Sequence, residues 1–270
     1  MEKIKRNERM AVITQVLTGS PNRIFTLSYF CDLFQTAKST ISEDIALLEK
    51  TMDQFHMGRL ETVTGAAGGV RYRPYQVGGS QRPFIEEICQ KLMTPDRVLP
   101  GGYLYFSDVL ADPELVTGMG RVIASAYYGV RADFVLTMET KGIPVALMTA
   151  RFLKVPLIIA RRSTKVYEGS AVNISYVSGN GSIETMSLSR RAVQPGTRAL
   201  IVDDFMRGGG TAAGMVSLMG EFDVTVAGIC FVLAMENQGK HLVDGERSLM
   251  LLSDIKQGEP LRVTPSDWIQ

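Results

Sequence analysis

The stretch Arg198-Ala-Leu-Ile-Val-Asp-Asp-Phe-Met-Arg-Gly-Gly-Gly-Thr-Ala-Ala-Gly214 decides the fold. Its apolar, β-branched run from Ala199 to Val202 predicts a buried strand. Asp203 and Asp204 follow, then Gly208, Gly209 and Gly210, then Thr211 and a helix-like segment from Ala212 to Gly220. The order is strand, acidic pair, loop, helix. Three glycines let the backbone turn through positive φ and approach a ligand closely. A helix beginning near Thr211 presents unpaired N–H groups that suit a phosphate. Carboxylates at the carboxyl end of a strand lie where open α/β sheets bind ligands. There they can accept hydrogen bonds from sugar hydroxyls or hold a magnesium ion through its waters.

Two common glycine loops do not fit. The glycines at 208, 210 and 214 are spaced one residue too widely for the dinucleotide fingerprint, and no Gly-Lys-Ser/Thr follows as a Walker loop requires. An acidic pair ahead of the glycines instead resembles the phosphoribosyl pyrophosphate (PRPP) motif of type I phosphoribosyltransferases. That resemblance implies ribose hydroxyls on Asp203 and Asp204, Phe205 and Met206 beside the effector, and a 5′-phosphate in the loop of Arg207, Gly208, Gly209, Gly210 and Thr211.

Working outward, the segments on either side alternate strand and helix. Phe134–Met138 is expected as a strand, Val145–Leu153 as a helix and Pro156–Ala160 as the next strand, a βαβ unit. A helix is expected over Leu115–Tyr128, strands over Tyr103–Phe106, Val224–Ala234 and Leu249–Leu252, and loop or helix over Glu236–Gly245. The turn Glu139-Thr-Lys-Gly142 resembles the pyrophosphate loop of the same enzymes, which implies that Thr140, Lys141 and Gly142 meet the diphosphate. Arg161, Arg162 and Lys165 follow the next strand. Val172–Val177 and Ile183–Leu188 then alternate around Asn180-Gly181, a hairpin. By resemblance this is the loop that closes over PRPP, with Arg161, Lys165 and Tyr103 at the rim.

The first eighty residues read differently. Met10, Ile13, Val16 and Leu17 make a helical stripe over Asn7–Thr18, stopped at Gly19-Ser20-Pro21. Thr26 or Ser28 can cap a second helix, Leu27–Phe34. A third carries Ile41, Ile45, Leu48 and Met52, with Ser39, Thr40 or Ser42 as cap and Glu43 and Asp44 suited to its first turn. Leu60–Thr64 and Val70–Tyr75 alternate around the glycine-rich tip Gly65-Ala-Ala-Gly-Gly69, a hairpin. Three helices and a hairpin make a winged helix-turn-helix, whose third helix enters the major groove of double-stranded DNA. Lys38, Ser39, Thr40 and Ser42 would face base edges there. Lys3, Lys5, Arg6, Arg59, Arg71 and Arg73 would hold phosphates. Protein contacts by the same module are the alternative. Gln76–Pro83 reads as a linker, dividing the chain into a DNA-binding domain (1–75) and an α/β, parallel-sheet, ligand-binding domain (76–270). Phe84–Leu92 is expected as an amphipathic helix.

Composition sets few limits. Among 270 residues, 29 Lys and Arg face 28 Asp and Glu, so total charge carries no message about nucleic acid. Residues 1–80 hold ten basic and eight acidic residues, a modest +2. Cys31, Cys89 and Cys230 lack the spacing of a zinc site or a disulfide framework. No stretch approaches a membrane span, and the protein is expected in the cytoplasm.

Joined, the two halves resemble the purine operon regulators of Gram-positive bacteria, the PurR repressor family. The carrying stretches are Ser39–Asp44, Gly65–Val70, Leu99–Tyr103, Thr140–Pro144 and Ile201–Met206. The resemblance implies a homodimeric regulator at operator or promoter regions of purine genes, controlled by PRPP or a related phosphorylated nucleotide. It also implies a phosphoribosyltransferase-like domain without turnover, with no catalytic residues and no required cofactor beyond magnesium accompanying PRPP on Asp203 and Asp204. Catalytic relatives place Thr-Gly where Gly208-Gly209 stands, and the tail from Ser253 shows no set of residues for a base edge. An active purine phosphoribosyltransferase with a regulatory N-terminal module is the alternative.

Overall fold

The structure is a computed structural model describing residues 4–65, 68–74, 81–100, 102–164, 169–178, 181–236, 242–253, 255 and 261–270. The expectations placed on Lys3, Lys165, Ala66, Ala67, Tyr75, Gly101, Asn180 and residues 76–80 and 237–241 lie outside the described residues. Two compact units are formed: Met1–Ser80 with Phe152–Lys154, and Gln81–Arg151 with Val155–Gln270.

The first unit contains α1 (Arg6–Gly19), α2 (Leu27–Phe34), α3 (Lys38–Gln54), β1 (Arg59–Val63) and β2 (Gly69–Arg73). Ile13 and Leu17, Phe30 and Phe34, Ile41, Ile45, Leu48 and Met52 converge with Leu60, Val70 and Tyr72 in one core. Alternation in the hairpin sends Leu60, Val70 and Tyr72 inward and leaves Glu61, Arg71 and Arg73 on the other face. Phe25 exchanges two backbone hydrogen bonds with Val70, of 2.9 and 2.8 Å, adding a third short strand position to the wing. A Cβ at position 69 would overlap the Phe25 carbonyl, so only glycine fits beside this pairing.

Two local expectations change. Thr26 caps α2, accepting from the Tyr29 N–H at 3.2 Å, but α3 starts at Lys38 behind Ala37 with no side-chain cap. Ser39, Thr40 and Ser42 therefore stand inside the helix. Asp44 is not a solvated first-turn acid. It is buried, and its two oxygens accept from Arg6 Nε at 2.9 Å and Arg9 Nε at 2.8 Å. Its charge is held between helices because a buried carboxylate needs a paired cation.

In the second unit α4 (Gln81–Leu92) begins three residues before the expected helix. Pro83, read as closing the linker, sits in its first turn, where a missing N–H costs no intrahelical bond. The following elements are β3 (Val98–Leu99), β4 (Tyr103–Leu104), α5 (Ser107–Ala111), α6 (Pro113–Tyr127), β5 (Phe134–Met138), α7 (Ile143–Leu153) and β6 (Leu157–Ala160). After them come β7 (Ala171–Val177), β8 (Ile183–Ser189), β9 (Arg198–Met206), α8 (Gly210–Gly220), β10 (Thr225–Met235), β11 (Arg247–Leu252) and β12 (Val263–Pro265). The expected strand at Tyr103–Phe106 shortens to two residues paired with β3, because Phe106 already turns into α5.

The main sheet runs β12-β11-β10-β9-β5-β6 and is parallel except for β12. Connections β5–α7–β6 and β9–α8–β10 make two βαβ units of opposite lateral direction, so chain order reverses between β5 and β9. The carboxyl ends of these adjacent strands open a crevice, the usual ligand position in such sheets.

Candidate ligand site and nucleic-acid interface

Strand β9 does not end at Val202. Pairing with β10 continues through Asp203 opposite Phe231 to Met206 opposite Ala234, so the acidic pair lies inside the strand, with Asp203 buried and Asp204 half-buried. Asp203 is buried, and Thr137 Oγ1 on β5 donates to its Oδ1 at 3.2 Å. Burial, reinforced by the neighbouring Asp204 charge, pushes the Asp203 carboxyl well above the ordinary range. Burial also raises Asp204, against which the Lys141 ammonium works.

The turn after β5 meets this pair from the side. A Cβ on Gly142 would overlap Asp203 Oδ1, so glycine is required for the approach. The Glu139–Thr140 peptide is cis. Lys141 places its Nζ 5.8 Å from the centre of the Phe106 ring, and Phe106 lies 6.1 Å from Phe205. On the other side Gly209 takes φ 78°, a left-handed conformation natural to glycine, and α8 begins at Gly210. Glycine again permits contact: a Cβ on Gly210 would overlap the Val177 carbonyl, and one on Gly214 would come within 2.9 Å of the Tyr176 ring. Strand β7 therefore packs against the loop and α8 instead of standing off as a detached lid.

These pieces surround a cavity of about 380 Å³ lined by Tyr103, Lys141, Arg162, Ser178, Glu184, Phe231 and Phe205 to Ala212. A second cavity of about 330 Å³ shares Tyr103, Lys141, Phe205 and Arg207, and adds Asp204 and the apolar Phe106, Met235, Leu252 and Ile255. Among the described lining residues, Asp203, Thr140, Gly142 and Arg161 are absent from both. Asp203 and Gly142 meet each other instead. Arg161 turns to Glu139 at 3.4 Å and pairs its backbone with Ser187, whereas Arg162 reaches the cavity and meets Glu184 at 3.0 Å. The chain leaves the strand here, Arg161 in an isolated bridge and Arg162 in the bend that follows, and this separates the neighbouring arginines. Sequence reading missed Ser178 and Glu184, both from the β7–β8 hairpin, and Phe106 at the start of α5, because only the fold brings these two segments here.

The anion-binding potential comes from the α8 N-terminus, Lys141, Arg162 and Arg207, with an acidic edge at Asp204 for hydroxyls. Among the described residues no group of three or more His, Cys, Asp or Glu side chains is arranged to hold a metal by itself. Asp204, the member of the pair that lines a cavity, can assist an ion whose other ligands come from a phosphate and water.

In the first unit Lys38, Ser39 and Ser42 are exposed on the first turns of α3, and Thr40 is half-buried. Lys38 and Ser42 border a groove of about 530 Å³ that also touches Thr26, Ser28, Glu49, Gly65 and Gly68. Lys5, Arg6 and Arg59 are exposed. Arg71 and Arg73 both pair with Glu61 at 3.0 Å. The wing's arginines are thus partly neutralised, which their spacing did not indicate.

Comparison with known proteins assigns both units. Residues 5–74 match the family described as "Bacterial purine repressor, N-terminal", and residues 108–260 match "Phosphoribosyl transferase domain". The purine biosynthesis transcriptional repressor PurR of Bacillus subtilis is 42% identical over 258 residues, covering 95% of this chain and 90% of that protein. The purine biosynthesis transcriptional activator PurR of Lactococcus lactis subsp. lactis is 40% identical, covering 93% of each. A xanthine phosphoribosyltransferase of Geobacillus thermodenitrificans is 32% identical over 61% of this chain and 85% of its own length. In fold, the crystal structure of adenine phosphoribosyltransferase from Thermoanaerobacter pseudethanolicus matches 62% of this chain and 98% of its own, with TM-score 0.54 and 23% identity. With the winged module and the phosphoribosyltransferase fold joined in one chain, as in these regulators, the protein belongs to the PurR family of purine biosynthesis transcriptional regulators.

Proposed function

We propose that this protein regulates transcription of purine biosynthesis genes by binding double-stranded DNA through its winged helix, and that PRPP in the second unit controls that binding. The observation that carries the effector assignment is the meeting of an acidic pair and a glycine-led helix N-terminus at one switch-point crevice. Asp204 faces the ribose hydroxyls, the backbone of Arg207 to Thr211 takes the 5′-phosphate, and Lys141 with Arg162 offsets the diphosphate. Magnesium carried by the diphosphate would be held through water against Asp204 and would offset its charge. The apolar second cavity beside Asp204 leaves room for the base of a related phosphorylated nucleotide. The relatives that match over nearly the whole chain are named as transcriptional regulators, which supports a regulatory role without transferase turnover. Titration of a labelled purine-gene promoter fragment with and without PRPP and magnesium tests this reading. Double substitution Asp203→Ala with Asp204→Ala is expected to abolish the PRPP response while leaving DNA binding within about twofold. A retained response would refute the site.

The similarity to xanthine phosphoribosyltransferase supports one other reading, an active transferase. Incubation with PRPP and xanthine distinguishes them, because formation of the nucleotide establishes turnover.

A further inference from the structure

We propose that Glu184 is a built-in counter-ion of the effector cavity: it pairs with Arg162, and an anionic ligand must take that arginine from it. The inference rests on reading this cavity as the effector site. Glu184 Oε2 accepts from Arg162 Nη1 at 3.0 Å and from Tyr176 Oη at 3.1 Å. Among the described residues lining the cavity, Glu184 is the sole carboxylate, set among Lys141, Arg162, Arg207 and the glycine loop. A carboxylate in a site built from anion-binding groups opposes its ligand and needs a reason.

Stability does not supply one. The Arg162 side chain is 64% exposed and that of Glu184 24%, and pairs so open to water contribute little to folding. The carboxylate is instead fixed in place. Tyr176 donates to it at 3.1 Å, and the Tyr176 ring lies against Gly214 of α8. When a diphosphate draws Arg162 away, Glu184 stays at the cavity wall with its charge unmatched. Ligand affinity is thereby lowered to a level at which multiply charged anions, contacting several cations at once, still bind, and specificity gains from this repulsive element.

The test is calorimetric titration of the intact protein with PRPP and with inorganic pyrophosphate. Glu184→Gln keeps a partner for Tyr176 and removes the charge, so it is expected to tighten both ligands roughly three- to tenfold at low salt, a gain that shrinks as salt screens it. Arg162→Gln is expected to weaken both, and on that background Glu184→Gln should gain much less. Unchanged or weaker binding by Glu184→Gln, with wild-type binding intact, overturns the counter-ion role alone. Absence of binding to the wild-type protein overturns the effector-site reading, and this inference with it.

Discussion

At the scale of single residues, the buried Asp203 is the most informative. Its carboxyl is held protonated to higher pH by burial first and by Asp204 second. The native chain therefore binds more protons than the unfolded one at pH above the unfolded Asp value, about 4. The sign follows: stability declines as pH rises from there through the raised native value and stays reduced above it. An Asn mimics the protonated acid. Asp203→Asn should raise the melting free energy of the ligand-free protein at pH 7 by about 1 kcal/mol or more, with the gain shrinking toward pH 5. Thermal melts of both proteins across pH 5–8 measure this; a pH-independent difference would contradict it. Sequence placed this pair in the site but not its inequality, because only the fold buries one side chain against Thr137 and turns the other to the cavity.

At the scale of elements, α3 shows how a helix of the winged module is held. Its apolar stripe was legible as i, i+4, i+7 spacing. Its anchor was not, since Asp44 finds Arg6 and Arg9 across 38 and 35 residues of chain. Arg9 is 8% exposed and also donates to the Ile4 carbonyl at 3.0 Å. Asp44→Ala would leave its guanidinium buried without a carboxylate. We expect a loss of about 3 kcal/mol in the unfolding free energy of the first unit, measured by denaturant titration, against under about 1 kcal/mol for Glu43→Ala on the exposed face. Equal effects would refute the anchoring role. The same contrast holds for α8, where the glycines were readable but the strand resting on Gly210 and Gly214 was not.

At the scale of the molecule, the wing offers less unmatched positive charge than a count of its arginines suggests. Lys38 is exposed on α3, whereas Arg71 already shares Glu61 with Arg73. If Lys38 neutralises one phosphate, Lys38→Ala should reduce the slope of log K against log salt by about 0.9. Arg71→Ala should reduce it by less, because part of that charge is matched before DNA arrives. Anisotropy titrations of a promoter fragment at several salt concentrations read both slopes, and a larger loss for Arg71→Ala would reverse the ranking.

Local chemistry is what the sequence by itself determined: apolar periodicity, glycine turns and the acid pair mark strands, helices and the glycine loop before α8 without reference to distant residues. It also carried the winged module and the parallel-sheet unit, because each element's pattern is a property of its own ten or so residues. Tertiary structure decided the pairings. The adjacency of β5 and β9 brings Gly142 to Asp203, the exit of β6 separates Arg161 from Arg162, and the β7–β8 hairpin delivers Glu184 to the cavity. Such contacts depend on which strands become neighbours and which face each residue takes, and those are settled by burial of the whole core.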